Sequence, residues 1–357
     1  MEKYLQQLVA RRTVTADQQA NQDALDYLQA FFEKHGLFCV RRTFAGYGTL
    51  VATTKKNDKT PAVMLTAHVD VVPGPDEVFT LDQQDNKYLG RGVFDMKFAI
   101  ACFMEVLDRL GDNVQSYDLG IMITCDEEIG GRYGVGQLVG DDYRPGVMLL
   151  PDGSKDWRIE TFAKGVIHGT FHVRGKAAHG SMPWEGDSAT FKLLDLLHEF
   201  KKHFDGQTLN TNTLNVGPLT GGKVINQVPE KASAGVDIRY MAPSDRGVIM
   251  STIEQLCDRF DGTFDEIDVS GNPCVNEINH PMIAPFAESV KEVTGVTPTG
   301  LLSHGGSDAR YLTPLGIPAI ICRPPGGNQH ANEEWIDKQG AEQYVEVIIS
   351  YLNKMAK

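Results

Sequence analysis

Apolar runs recur through the first half of the chain, each closed by a polar or glycine-bearing turn. The segments 49–53, 62–67, 119–124 and 146–150 are continuous rather than alternating, which is the pattern of strands buried on both faces. Between them, Leu25, Leu28, Phe31 and Phe32 fall at helical spacing within 17–35, and 96–110 reads as a further helix. Continuous strands alternating with helices predict an α/β sheet flanked by helices, with ligands gathering at the carboxyl ends of the strands. Near Lys164 the period changes. GVIHGTFHVRG alternates as a half-exposed strand, 188–203 reads as a helix, and TNTLNVGPL and KASAGVDIRY as two more strands. A helix at 245–260 and a strand at 263–269 complete a β-α-β-β-α-β order, the ferredoxin-like α+β layout. After Pro273 the α/β character resumes with a helix at 281–294, the buried strand PAIIC and a closing helix at 339–355. The expected organisation is one domain in two parts, 1–163 and 273–357, interrupted by an inserted domain at 164–272.

With 41% hydrophobic and 23% charged residues the chain has the balance of a folded globular protein, and 357 residues exceed one ordinary core. The net charge of -13 argues against nucleic acid or an anionic membrane surface as a partner. It does not exclude an anionic small molecule, because bound cations would reverse the local field. The cysteines Cys39, Cys102, Cys125, Cys257, Cys274 and Cys322 never fall in a C-x-x-C spacing and mostly have apolar neighbours. A reducing, cytoplasmic setting without disulfides is expected from that pattern. The N-terminal segment lacks the apolar core of a signal peptide, and no run approaches the length of a membrane span.

Five segments carry chemistry. In LTAHVDVVPG, His68 and Asp70 lie two apart at a strand end, so both side chains leave the same face. Such a pair suits a metal-bound imidazole whose second nitrogen is fixed by a carboxylate, although a hydrogen-bonded strand end reads the same way. Asp95 in GRGVFDMK stands at the mouth of a helix, where a simple N-cap is the plainer reading. Glu127 and Glu128 in ITCDEEIGG follow an apolar strand and repel each other unless a positive group is near. One could bind metal while its neighbour takes a proton from water. Asp152 in MLLPDGS ends another strand, and His330 in NQHANEEW follows PAIIC. Each alone is weak. Together they give five strand-end loops with nitrogen or oxygen donors and no thiolate, which suits a hydrolytic zinc, manganese or cobalt centre rather than a structural zinc. Five such groups exceed the needs of one ion and fit two that share a carboxylate.

The ordered segments HVDVVPG, GRGVFDMK, CDEEIGG, KAAHGSMPWEGDSA, HGGSDARY and NQHANE resemble the di-zinc metallopeptidases that include carboxypeptidase G, acetylornithine deacetylase, succinyl-diaminopimelate desuccinylase, aminoacylase and bacterial dipeptidases. The resemblance implies a zinc-peptidase-like catalytic domain, a mixed sheet flanked by helices, carrying an inserted ferredoxin-like lid that commonly dimerises. It implies His68 and Asp152 as ligands of one metal, Glu128 and His330 as ligands of the other, and Asp95 as the bridge. Asp70 would orient His68, and Glu127 would be the general base acting on a metal-bridging water. His179 resembles the lid histidine that stabilises the oxyanion, often in the partner's site. Asn226 and Arg239 are similar to lid residues that hold a substrate carboxylate, with an Asp237–Arg239 ion pair as the rival reading. Ser307 and Asp308, with Gly326 and Gly327, would line the pocket.

Two positions depart from the family pattern. Phe98 stands where glycine is frequent, which would reshape the helix start or narrow the pocket. Gly180 stands where serine is common, which changes the hydrogen bonding around His179. His304 is a further histidine to watch. The resemblance implies a homodimeric hydrolase with two divalent ions, zinc or else cobalt or manganese. Its substrate would be an N-acyl amino acid or short peptide with a free carboxylate. A dipeptidase or aminoacylase is the rival in the same chemistry, and a non-catalytic metal- or amino-acid-binding protein the rival outside it.

Overall fold

The sheet predicted from the first strands is present and mixed. In this computed structural model, which describes residues 1–204, 206–267, 271–303 and 306–356, the chain divides into two units. One is Met1–Phe162 with Cys274–Lys357, the other Ala163–Pro273. The main sheet of the first unit runs in the order Phe38–Phe44, Tyr47–Thr53, Leu119–Thr124, Val63–His68, Val147–Leu149 and Ala319–Ile320. The first three strands pair antiparallel and the last four are mutually parallel. All four parallel strands therefore release the chain at the same edge. The segments leaving it carry His68, Glu127 with Glu128, Asp152 and His330.

Phe38–Phe44 was not evident in the hydrophobic pattern, because FCVRRTF is an edge strand with no fully buried residue. The strand PAIIC contributes only Ala319–Ile320 to this sheet. Beyond it the carbonyls of Ile321 and Arg323 turn to accept from Glu160 (2.9 Å) and Trp157 (3.0 Å), which ends the ladder.

The helix Lys97–Leu110 is apolar almost all round and buried along its whole first half, as expected of a core helix. Its N-cap is Met96, and no side chain caps it, so the capping reading of Asp95 does not hold. Phe98 corrects another expectation. It is fully buried and packs edge-on against Tyr344 with centroids 5.7 Å apart, pointing into the core rather than narrowing a pocket. Tyr344 also stacks on Trp157 and donates to the Cys322 carbonyl at 3.0 Å, tying the closing helix Lys338–Met355 to this core.

In the second unit the sheet order is Thr213–Gly221, Lys231–Tyr240, Gly165–Arg174 and Gly262–Glu266, antiparallel throughout. The helices Ala189–Lys201 and Pro243–Arg259 pack on it through Leu193, Leu196, Phe200, Ile253 and Leu256, against Ile167, Phe171 and Ile238. Alternation in Lys231–Tyr240 is regular, with Ala232, Ala234, Val236, Ile238 and Tyr240 buried. The expected last strand at 263–269 is Gly262–Glu266; positions 268 and 269 lie outside the described residues. All six cysteines are free, and among the described residues no helix is long and apolar enough to cross a membrane.

Replacing Phe98 with alanine opens a cavity at the junction of two helices. The expected loss is about 3–5 kcal/mol, read as a lower urea midpoint of the unfolding transition. An unchanged midpoint would show that the Tyr344 cluster holds the helix start without it.

Candidate metal centre

Val63–His68 ends with His68 fully buried, and its Nδ1 lies 2.9 Å from the Asp70 carbonyl. A carbonyl oxygen only accepts, so Nδ1 carries a proton, and Nε2 is the nitrogen that would bind a cation. Nε2 faces Asp95 Oδ1 at 3.2 Å. The other Asp95 oxygen, Oδ2, faces His330 Nε2 at 3.1 Å, and that nitrogen is 3.1 Å from Glu128 Oε2. Ligand atoms of His68, Glu127 and Asp152 lie within 4.8 Å of one another, and so do those of Asp95, Glu128 and His330. Two donor sets thus adjoin, with Asp95 turned toward a histidine of each.

The charge balance shows what these sets lack. Burial, then the charge of Asp152, pushes the Glu127 carboxyl well above the usual range. Burial, then Asp95, pushes Asp152 up to about 6. Burial also works against the Asp95 anion, yet hydrogen bonds from His330 and His68 hold its carboxyl below the usual range. Bonds to Asp95 and Glu128 push His330 up to about 10. Burial works against a charged His68, but Asp70 and Asp95 raise it well above its ordinary value. Glu127 and Asp152 hold their protons more tightly and the histidines gain them because carboxylates crowd here. Asp152 Oδ2 is buried with no hydrogen-bond partner among the described residues. Carboxylate and imidazole donors, an unsatisfied buried oxygen and excess negative charge all fit divalent metal ions.

A supporting layer holds these groups, and part of it was invisible in the sequence. Asp70 lies 3.4 Å from His68 Nδ1 through its carboxylate, farther than its own carbonyl. That carboxylate accepts from the Thr15 hydroxyl at 2.9 Å and from the backbone N–H groups of Glu127 and Glu128, both at 3.3 Å. One aspartate therefore fixes the turn carrying both acids. Glu334, fully buried, accepts from the N–H groups of Gly92, Phe94 and Asp95 and from Arg91, so it clamps the Asp95 loop. The buried Arg323 donates to the carbonyls of Phe94 (3.0 Å) and Ser154 (3.1 Å) and to Gln329 Oε1 (3.0 Å). Gln329 in turn donates to Asp95 Oδ2. Arg323 therefore joins the Asp95, Asp152 and His330 loops. The only cues were an arginine closing an apolar run and a second acid after Glu333.

Ser307 and Asp308 are both buried. Ser307 lines a cavity with Asp152, whereas Asp308 packs under Gly131, where an added Cβ would lie 1.8 Å from its Oδ1. Burial pushes the Asp308 carboxyl up to about 7. Gly326 lets the Phe94 ring pass, since its Cβ would meet that ring at 2.2 Å. His304 lies outside the described residues.

His179, Asn226 and Arg239 belong to the second unit. His179 Nδ1 accepts from the Ser181 backbone N–H at 3.2 Å and lies 2.8 Å from its hydroxyl, so the proton sits on Nε2. Gly180 is explained there as well. Its N–H donates to the Asn226 carbonyl at 2.7 Å, and a Cβ would meet the Asn226 backbone at 2.8 Å. Serine does not fit at 180, and Ser181 supplies the hydrogen bond instead. Arg239 is held bidentately by Asp237 at 2.7 and 3.0 Å, the ion pair weighed as its rival role.

Fold and donor sets together define a class, the metal-dependent hydrolases of amide bonds. The chain belongs to peptidase family M20/M25/M40, whose family model matches residues 64–354. It is 25% identical to a succinyl-diaminopimelate desuccinylase of Parvibaculum lavamentivorans, covering 92% of this chain and 88% of the relative. It is 27% identical to a probable carboxypeptidase of Trichophyton verrucosum, over 66% of this chain and 57% of that protein. In fold it is similar to a tripeptidase from Staphylococcus aureus, with a TM-score of 0.81 at 21% identity over 99% and 97% of the two chains. The protein is thus a hydrolase of the desuccinylase, carboxypeptidase and peptidase type.

Replacing Arg323 with methionine removes the link between three loops without touching a donor. Affinity for divalent ions is expected to fall about 10–100-fold, measured by competition with a chromophoric chelator. Unchanged affinity would mean that the loops hold their positions unaided.

Proposed function

We propose that the chain hydrolyses the amide bond of a small N-acyl amino acid or short peptide with a free carboxylate, using two divalent ions, zinc in the first instance. His68 and Asp152 would hold one ion, Glu128 and His330 the other, with Asp95 shared. The observation that carries this reading is the division of the two Asp95 oxygens between His68 and His330. When bound, the ions polarise the scissile carbonyl and acidify the attacking water.

The protein's own groups do the rest. Glu127, with Oε2 4.0 Å from His68 Nε2, takes the proton from water and passes it to the leaving nitrogen. Asp70 positions His68 and the turn that presents Glu127. His179, protonated on Nε2, is a neutral donor suited to an oxyanion. Arg239 and Asn226 would hold the substrate carboxylate, and Ser307 and Asp308 would shape the pocket. The free cysteines, five of them buried, suit a cytoplasmic setting.

Purified protein should contain close to two divalent ions per chain by elemental analysis and lose amide cleavage on chelation. Glu127→Gln should keep the metal while kcat falls roughly 10²–10⁴-fold. Full activity in that variant, or a chain that takes up no metal, would sink the mechanism.

The second unit is assigned to self-association. Phe191 is 71% exposed and Leu194 45% exposed on the helix Ala189–Lys201. Phe191 borders a cavity of about 530 Å³ with Ile225, Val228 and Pro229. An apolar surface of this kind supports an interface, here with a second copy. Phe191→Glu should shift the protein from dimer to monomer in sedimentation analysis; a wild-type monomer at micromolar concentration would refute the assignment.

A further inference from the structure

One buried acid near the metal centre has no part in the proposed mechanism. Glu160, on the strand Ile159–Ala163, is 2% exposed. Its side chain lines a cavity of about 290 Å³ whose wall also includes Asp152, Ser303, Ser307, Arg323 and Gln329, with the exposed Lys155 at its edge. Because Asp152 belongs to a donor set, the cavity opens directly beside the place where the amide would be cleaved. Its volume suits the head group of one residue rather than a long chain.

Arg323 is the buried cation of this wall, and three of its five N–H groups donate to the carbonyls of Phe94 and Ser154 and to Gln329 Oε1. One N–H of Gln329 donates to Asp95. The Ser307 hydroxyl is buried with no hydrogen-bond partner among the described residues. Glu160 receives the Ser303 hydroxyl and the Ser154 N–H, which leaves acceptor capacity on a carboxylate that can take about four bonds. A buried carboxylate facing a cavity is costly unless a cation meets it. Burial, with the charge of Asp152, pushes the Glu160 carboxyl up to about 8, which Ser303 and Arg323 offset only in part. An ammonium group brings both the charge and three donors.

We propose that this cavity is the subsite for a substrate ammonium group, with Glu160 as its counter-ion and Ser307 as a second acceptor. The substrate is then a short peptide with a free amino terminus on the acyl side of the cleaved bond, rather than an N-acylated amino acid. This rests on the metal-dependent amide hydrolysis proposed above and selects among the substrates it allows.

The test uses the metal-loaded full-length enzyme with a tripeptide bearing a free amino terminus and with its N-acetyl and N-succinyl derivatives. Wild type should favour the free tripeptide in kcat/KM by on the order of 10–100-fold over either derivative. Glu160→Gln should reduce that preference at least about tenfold, mainly through KM, and Glu160→Asp should restore part of it. The wild-type preference needs no variant, so it stands even where a substitution impairs folding. Equal or better metal-dependent cleavage of the acetylated or succinylated peptide overturns the ammonium subsite and leaves the hydrolase reading intact. An undiminished preference in a folded, metal-replete Glu160→Gln protein overturns the role of Glu160. Absence of metal-dependent cleavage across the panel overturns the underlying reading instead.

Discussion

A buried carboxylate whose two oxygens face two imidazoles is expensive to hold in place, and much of the first unit is organised around that expense. Asp95 is 4% exposed, beside two donor sets that contain three further acids. Isolated in a low-dielectric interior, such charges would neutralise or separate. Here they are kept together from outside. Glu334 grips the backbone of the Asp95 loop through three N–H groups, and Arg91 balances the charge of Glu334 at 3.0 Å. Arg323 places a buried guanidinium behind the same loop with its face 3.6 Å over the Phe94 ring. Divalent cations held by the proposed donor sets would relieve the remaining repulsion.

The same constraint explains why some of this was legible in the sequence and some was not. The donors sit at the carboxyl ends of parallel strands, so each follows directly on an apolar run that announces itself. His68, Glu127, Glu128, Asp152 and His330 could be found because their positions are local facts of the chain. Arg323 and Glu334 act across separations of 229 and 240 residues, and nothing near them records the loop they will meet. The orientation of Phe98 failed for a related reason. The first half of its helix is buried all round, so periodicity does not say which face turns to the site. The inserted β-α-β-β-α-β unit is easier to read, because Gly165–Arg174 and Lys231–Tyr240 alternate at the centre of its sheet. Phe38–Phe44 was the harder one, since two arginines on an edge strand erase the alternation.

Within the second unit, a change of residue type and a change of partner compensate. Close pairing of 178–179 with 227–228 brings the Asn226 backbone against position 180, which only glycine tolerates. The hydrogen bond that a serine there could have offered comes from Ser181, one residue on, by both backbone and hydroxyl. The outcome is a histidine with a defined tautomer. Arg239 shows the opposite balance, since Asp237 already takes two of its donors and His168 approaches the same carboxylate at 3.2 Å. A carboxylate ligand at Arg239 would share the guanidinium with Asp237 rather than find it unengaged.

Cys125 sharpens the argument about which ions the donor sets favour. It stands two residues before Glu127, is 1% exposed, and lies where a softer ligand could have competed. Burial, followed by the charges of Asp70 and Asp126, pushes its thiol well above the ordinary value. Only a thiolate binds metal strongly, and forming one here would add another anion to a region already short of cations. Burial, with Asp70 and Asp126, therefore keeps the neighbouring sulfur protonated. The local field thus favours the proposed set of oxygen and nitrogen donors, which would suit an open, hydrolytic centre rather than the closed thiolate site of a structural zinc.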